Sequence, residues 1–192
     1  MTRRVVRDPL RRTRLSSVAR IVEIQSQATM ALTLLDALRG RDSGLVLDDY
    51  QHSLQTATRA ERAGADSELV TAALLHDVGK AITRRNHGMV AAEILAGSVR
   101  PEVVWLVSVH QDFTAIELHN GRGRRARYRH RLHPSYELAR RFVDEWDLPS
   151  RDPTYDTFPV EHFTPRVHEV FARSPSGAHG ITRTASRLGR RR

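Results

Sequence analysis

Apolar residues recur at roughly helical spacing through most of the chain. Between residues 17 and 38, Val, Ile, Leu and Met follow one another in this way, and Gly40 marks a stop. No segment shows the strict alternation of apolar and polar residues that is typical of a half-buried strand. The sequence therefore predicts an all-α fold, built as a helical bundle.

The stop and start signals predict where the other helices lie. A second helix begins at Asp48 or Asp49, whose carboxylates suit a helix N-terminus. Asp66 can cap a third helix over 67–78, which is apolar enough to be buried, and Gly79 is expected to end it. Further helices are predicted at 86–97, 101–111, 134–146 and 165–172.

Charge and composition divide the chain into a domain and two tails. The net charge is +9, and much of the arginine excess lies at the two ends. We expect residues 1–16 to be a flexible basic arm, 17–173 the helical domain, and 174–192 a flexible basic tail. The stretch 120–125 is predicted to be a mobile loop. No aromatic-interleaved basic strand or zinc-finger spacing points to a specific nucleic-acid partner.

The same composition limits where the protein works and what it can bind. No apolar run approaches the roughly 20 residues that a membrane-spanning helix needs, and no signal peptide is recognisable. A cytoplasmic location is therefore expected, while the oligomeric state is not indicated. The chain contains no cysteine, so any bound metal must be held by nitrogen and oxygen ligands.

One lysine stands out because every other cation of the Lys/Arg class is arginine. Lys80 follows the adjacent pair His76–Asp77 at the end of the most apolar segment. A lysine near the last carbonyls of a helix is an ordinary feature. However, the planar guanidinium of arginine cannot simply replace a compact ammonium group, which favours a specific role for Lys80.

Several histidines and aspartates lie on or at the ends of apolar helices, which is how metal sites form in bundle cores. Adjacent helical residues point about 100° apart, so one ion cannot easily bind both His76 and Asp77, whereas Asp77 can bridge two ions. Any single histidine could equally be an ordinary core or surface residue, and six others are assigned that way. The candidate metal ligands are His52, His76, Asp77, His87, His110 and Asp147.

This order of residues resembles the H…HD…H…H…D motif of the HD-domain superfamily of metal-dependent proteins. The resemblance covers roughly residues 45–172. Within the superfamily, the segments 50–57 and 73–79 resemble the oxygenase branch, which includes myo-inositol oxygenase and the phosphonate-cleaving oxygenases. The segment 146–159 is also similar to relatives of that branch.

The resemblance implies a mixed-valent Fe(II)/Fe(III) centre of two iron ions. His52, His76 and Asp77 would bind one iron with Asp77 shared, His87 and His110 would bind the other, and Asp147 would complete the set. Lys80 would reach the substrate. Tyr50 could close over the open site, although a packing role is an equal alternative.

One position departs from the pattern of the phosphonate-cleaving enzymes. They carry a lysine four residues after the ligand that matches His110, and this chain has Thr114 there. Arg125, Arg127 and Arg129 are the candidates that could replace that lysine in holding the substrate.

Two enzymatic functions and one non-enzymatic function follow. The first is an oxygenase that uses O2 to cleave a C–C or C–P bond of a small hydroxylated substrate, which can also be anionic. The second is a phosphohydrolase that uses Mn, Co or Zn on a nucleotide or phosphomonoester. The third is a regulatory protein that keeps a metal for stability.

Overall fold

A computed structural model of the chain describes residues 9–41, 46–114 and 126–173. Helices hold most of these residues, and no strand occurs among them, so the all-α prediction is confirmed. The helices are α1 (Pro9–Asp36), α2 (Asp49–Arg62), α3 (Ser67–Leu75), α4 (His87–Leu95), α5 (Pro101–Thr114), α6 (Tyr136–Arg141) and α7 (Val160–Ala172).

Helix α3 forms the centre of the bundle. Its side chains from Leu69 to Leu75 are all buried, and α2, α5 and α7 pack around it. The Asp66 carboxylate caps the helix by accepting hydrogen bonds from the backbone N–H groups of Glu68 and Leu69. Burial of each large aliphatic side chain contributes about 1.5–3 kcal/mol, which makes this helix a firm base for residues at its C-terminal end.

Two turns with other hydrogen-bonding patterns extend the α-helices. A 3-10 turn, Val78–Ala81, follows α3. A π turn, Phe142–Asp147, continues α6 without a break. Bonding from residue i to i+5 brings residues five positions apart towards one side, and such turns are frequent at functional sites. The π turn places Phe142 against the ring of His76 and carries Asp147 at its end.

The first helix starts earlier than the sequence predicted. Helical backbone begins at Pro9 rather than near Ser17, so part of the predicted flexible arm is helical. Helix α1 packs on α7, and its residues Ala28, Ala31 and Leu35 are fully buried. Residues 1–8, the tail at 174–192 and the predicted loop at 120–125 lie outside the described residues.

Other predicted helix boundaries were also wrong. Helix α3 ends at Leu75 instead of continuing to residue 78, so Asp77 lies outside it, with φ −103° and ψ 0°. Helix α7 begins at Val160, and Pro165, expected at its start, lies inside it. A proline in the second turn removes one N–H, and the helix continues around it.

Gly79 was expected to end α3, and this was also wrong, because Gly79 lies inside the 3-10 turn that follows the helix. The described glycines with positive φ are Gly40, Gly64 and Gly97. Gly79 is required for a different reason, because a Cβ atom there would lie 2.1 Å from the backbone oxygen of His87. The absence of a side chain allows the start of α4 to approach the 3-10 turn.

The described helices can also be compared with the thickness of a membrane. Among them, none is both long enough and apolar enough to cross a bilayer.

Candidate metal centre

The six candidate ligands lie together in the core of the bundle. All six side chains are buried, and they form three overlapping groups whose ligand atoms lie within 4.8 Å of one another. They come from α2, the C-terminal end of α3, the start of α4, α5 and the end of the π turn. The groups are His52–His76–Asp77, His76–His110–Asp147 and Asp77–His87–His110.

One part of the centre, which we call the Asp147 half, contains His52, His76 and Asp147. The Nε2 atom of His52 lies 3.2 Å from Asp147 Oδ1 and 3.6 Å from Asp77 Oδ2. The Nε2 atom of His76 lies 3.4 Å from Asp77 Oδ2 and 3.8 Å from Asp147 Oδ1. Four side chains therefore converge on one point with nitrogen and oxygen atoms.

The other part, which we call the His87 half, contains His87 and His110. Their Nε2 atoms lie 2.9 Å and 3.5 Å from Asp77 Oδ1. Asp77 thus turns one carboxylate oxygen to each half. This arrangement is what a carboxylate that bridges two metal ions requires, as the sequence suggested. Asp77 lies just after the end of α3, and His76 is the C-terminal cap of that helix.

The ring orientation of all four histidines suits metal binding. In each ring Nδ1 lies 2.7–2.9 Å from a backbone carbonyl oxygen, which requires Nδ1 to carry the proton and to donate it. The Nε2 atom of each neutral ring then presents a lone pair to the centre. Outer hydrogen bonds of this kind fix the tautomer of metal-binding histidines. The acceptors are the carbonyl oxygens of Ser150, Ala73, Arg84 and Val107.

These lone pairs meet at short distances. The Nε2 atoms of His52 and His76 are 3.3 Å apart, and those of His87 and His110 are 3.2 Å apart. Two acceptor lone pairs repel one another unless a proton or a metal cation lies between them. When all four rings are neutral with the proton on Nδ1, no hydrogen-bond donor among the described residues serves the buried oxygens Asp77 Oδ1 and Asp147 Oδ2. The donor set therefore fits metal ions.

The pKa values describe how the centre balances its charge without metal. Burial lowers the pKa of His76 to about 4, so its imidazole is neutral. Burial also acts to lower the pKa of His52, but the hydrogen bond to Asp147 and the charges of Asp147 and Asp77 together outweigh burial and raise it. The pKa of His110 is raised against burial in the same way, by the hydrogen bond to Asp77 and the charges of Asp77 and Asp147. These two histidines therefore hold a proton more readily than a free imidazole does, and metal ions would compete with those protons.

Both carboxylates are held in their charged form. Burial raises the pKa of Asp147, but the facing histidines outweigh burial and bring it to about 2. The same balance, with Lys80 added, holds the pKa of Asp77 well below its usual range. Ionised carboxylates and neutral imidazoles are the ligand forms that divalent metals such as Fe, Mn, Co and Zn bind.

Lys80 contacts the carboxylates of this centre rather than the last carbonyl groups of a helix. Its Nζ atom donates to Asp77 Oδ2 at 2.6 Å and to Asp49 Oδ1 at 2.9 Å. Burial acts to lower the pKa of Lys80, but these carboxylates outweigh burial and raise it, so the side chain is an ammonium cation. Its reach towards a substrate stays a prediction.

The sequence did not predict a functional role for Asp49. This residue was expected only as a possible N-terminus of the second helix. The helix N-cap is Asp48, which accepts from the N–H of Gln51. Asp49 is fully buried and lies three residues before His52, on the same face of α2. That spacing was the available sequence signal.

Tyr50 packs away from the ligand atoms. Its hydroxyl accepts a 2.6 Å hydrogen bond from Arg39, whose guanidinium also stacks on the ring at 3.6 Å. With Arg39 and Glu161, Tyr50 lines a cavity of about 330 Å³ in which none of the candidate ligands takes part among the described residues. These contacts are those of a packing tyrosine, and its role over the open site stays a prediction.

The arginines proposed to replace the missing lysine have other partners where they are described. Arg127 forms a two-point ion pair with Asp144, and Arg129 pairs with Asp112. Arg125 lies outside the described residues.

Comparison with known proteins agrees with this geometry. A model of the HD domain family matches residues 49–148, a segment that contains all six candidate ligands and Lys80. HD domains are generally metal-dependent enzymes that bind divalent metals. No curated protein matches the chain.

Proposed function

This chain belongs to the HD domain family, and we propose that it is a dinuclear oxygenase. In this proposal two iron ions, as an Fe(II)/Fe(III) pair, are held by the Asp147 half and the His87 half with Asp77 between them. The substrate is a small hydroxylated molecule, and O2 serves to cleave one of its C–C or C–P bonds.

The position of Asp77 carries the proposal. Each of its oxygens faces a different pair of histidine Nε2 atoms, at distances of 2.9–3.6 Å. A site for one metal would need only one of these pairs. The presence of both supports two ions, and nitrogen–oxygen ligand sets without sulfur suit iron.

The two halves offer unequal ligand sets, which gives them different roles. The Asp147 half supplies two imidazoles, Asp147 and one oxygen of Asp77. The His87 half supplies two imidazoles and the other oxygen of Asp77. A centre that activates a small molecule must keep open coordination positions, and the His87 half leaves more of them.

The protein's own groups bind and orient the reactants. When bound, an iron pair supplies the activation of O2, chemistry that no side chain of this chain provides. Burial of the ligands keeps bulk water away, and the four backbone carbonyls fix the imidazole rings. Lys80 adds a positive charge beside Asp77, which favours a substrate that carries oxygen anions.

The test is the metal content of protein produced with iron available, followed by electron paramagnetic resonance after partial oxidation. Two irons per chain and a signal from a coupled mixed-valent pair are expected. A single iron, or two irons without coupling, would contradict the proposal. Hydroxylated anionic compounds are then screened for O2 consumption.

The second candidate is a metal-dependent phosphohydrolase. Contact between the Lys80 ammonium and the proposed bridging carboxylate favours it, because the same charge can neutralise a phosphate. Protein loaded with Mn, Co or Zn that hydrolyses nucleotides or phosphomonoesters, without O2 consumption by the iron form, would establish this alternative over the oxygenase.

A further inference from the structure

Asp49 is a buried carboxylate that is not one of the proposed metal ligands. Its side chain is fully buried in the first turn of α2, three residues before the ligand His52. A buried carboxylate is costly unless it is paired with a cation. Since the ligand geometry does not require it, its partner explains why it is there.

That partner is Lys80. The Nζ atom lies 2.9 Å from Asp49 Oδ1 and 2.6 Å from Asp77 Oδ2, and the lysine side chain is 14% exposed. An ammonium group has three N–H donors, so two of them are held in fixed directions by these two carboxylates. The lysine stem is flexible, and a single carboxylate would leave the head group free to rotate around it.

The second oxygen of Asp49 faces a cation nearer to the surface. Arg84 Nη2 lies 4.0 Å from Asp49 Oδ2, and the Arg84 side chain is 56% exposed. The backbone carbonyl of Arg84 also accepts from Nδ1 of the ligand His87. Asp49 therefore stands between a buried ammonium next to the centre and a guanidinium at the edge of the same region.

We propose that Asp49 is the positioning residue of the centre, which holds the Lys80 ammonium on the bridging carboxylate Asp77. In doing so it directs the remaining N–H of Lys80 to the substrate side. The inference rests on the proposed function only in taking Lys80 to face the substrate. It applies equally to an oxygenase and to a hydrolase.

The single lysine of the chain makes a direct experiment possible. Acetylation by an N-hydroxysuccinimide ester is followed at Lys80 by peptide mass spectrometry, on Mn²⁺-loaded and on metal-free protein. An ammonium held by two carboxylates reacts slowly. The variant Asp49→Asn is expected to raise the acetylation rate of Lys80 severalfold, while Asp48→Asn, the matched control on the helix cap, leaves the rate unchanged.

A double-mutant cycle of thermal midpoints supplies a second, independent measurement of the coupling between Asp49 and Lys80. In the wild type, Asp49→Asn is expected to lower the thermal midpoint, because it removes one partner of Lys80. In Lys80→Met protein the same change is expected to raise the midpoint, on the order of 5 °C, because it removes a buried carboxylate that has lost its ammonium partner. Equal acetylation rates, or equal shifts in both backgrounds, would overturn the positioning role.

These results are independent of turnover. Failure of the iron experiment would remove the oxygenase and leave the Lys80 measurements intact, whereas an unchanged Lys80 rate would remove the role of Asp49 alone.

Discussion

The two halves of the centre share one carboxylate but are built differently. The Asp147 half takes its ligands from α2, the end of α3 and the π turn. Its histidines rest on the most buried part of the bundle, with Phe142 packed against the ring of His76. The His87 half takes its ligands from the first residue of α4 and from α5.

Close backbone approach, rather than side-chain packing, forms the His87 half. Gly79 allows the backbone of His87 to come near the 3-10 turn, and a Cβ atom at Gly88 would lie 2.8 Å from the carbonyl oxygen of Val107 and 3.1 Å from the His110 ring. The Asp147 half is thus fixed by the additional carboxylate of Asp147 and by a packed core. The His87 half is fixed by the absence of side chains at Gly79 and Gly88. The difference predicts that the Asp147 half binds metal more tightly.

The largest effect is expected from the residue that the halves share. Asp77→Ala should abolish metal binding in both halves and destabilise the metal-free protein by about 3–5 kcal/mol, because Lys80 and the protonated histidines lose their buried counter-charge. Metal analysis and urea unfolding measure the two effects. Retention of one tightly bound metal would show that Asp77 does not serve both halves.

Removal of a ligand from one half should separate the two. His87→Ala should leave one metal per chain, bound with nearly the wild-type affinity, whereas His52→Ala should weaken the tight site first. Competition with a chelator, followed by metal analysis, distinguishes them. If both variants lose metal equally, the halves are not independent and the comparison fails.

A glycine substitution tests the backbone approach. Gly79→Ala should displace His87 and release the metal of the His87 half, since its Cβ would overlap the His87 oxygen. The matched control is Gly97→Ala, where nothing lies within 4 Å but φ is +83°. The control should cost about 1–2 kcal/mol in stability and keep both metals. If the Gly79→Ala protein retains both metals, the His87 half does not depend on this close backbone approach, and the account is contradicted.

The smallest effect concerns pH, which shows what the halves have in common. His52 in one half and His110 in the other have raised pKa values without metal. Their stabilisation is complete below the ordinary value of about 6.5 and is lost as pH rises through the raised values. Metal affinity changes in the opposite sense, because protons compete with the metal.

The thermal midpoint should therefore fall with rising pH above about 6.5 for metal-free protein and hold or rise for metal-loaded protein. Thermal scans in a pH series measure both slopes. Parallel slopes would mean that the histidines do not exchange protons for metal.

The sequence pointed to the six candidate ligands, which the structure brings together, because their chemical type stands out on apolar helices and in the order of the HD motif. It could not assign Asp147 to a half, because that depends on a π turn that makes no distinct hydrophobic pattern. It also ended α3 too late and so placed Asp77 inside a helix that ends at Leu75.

The functional role of Asp49 and the reason for Gly79 were missed because they depend on contacts between distant parts of the chain. Asp49 contacts Lys80 across 31 positions, and Gly79 is needed because of the backbone of His87. A sequence pattern reveals which face of a helix is buried, but not which neighbour meets it. The start of α1 was missed because arginines at 11, 12 and 14 resemble a solvated arm, although they are compatible with a helix.

The most direct test of the central claim is anomalous X-ray diffraction at the iron absorption edge from crystals of the iron-loaded protein. The account predicts two anomalous peaks, one on each side of Asp77, with the carboxylate bound to both. A single peak among His52, His76 and Asp147, with the His87 half empty at saturating iron, would contradict a bridged dinuclear centre.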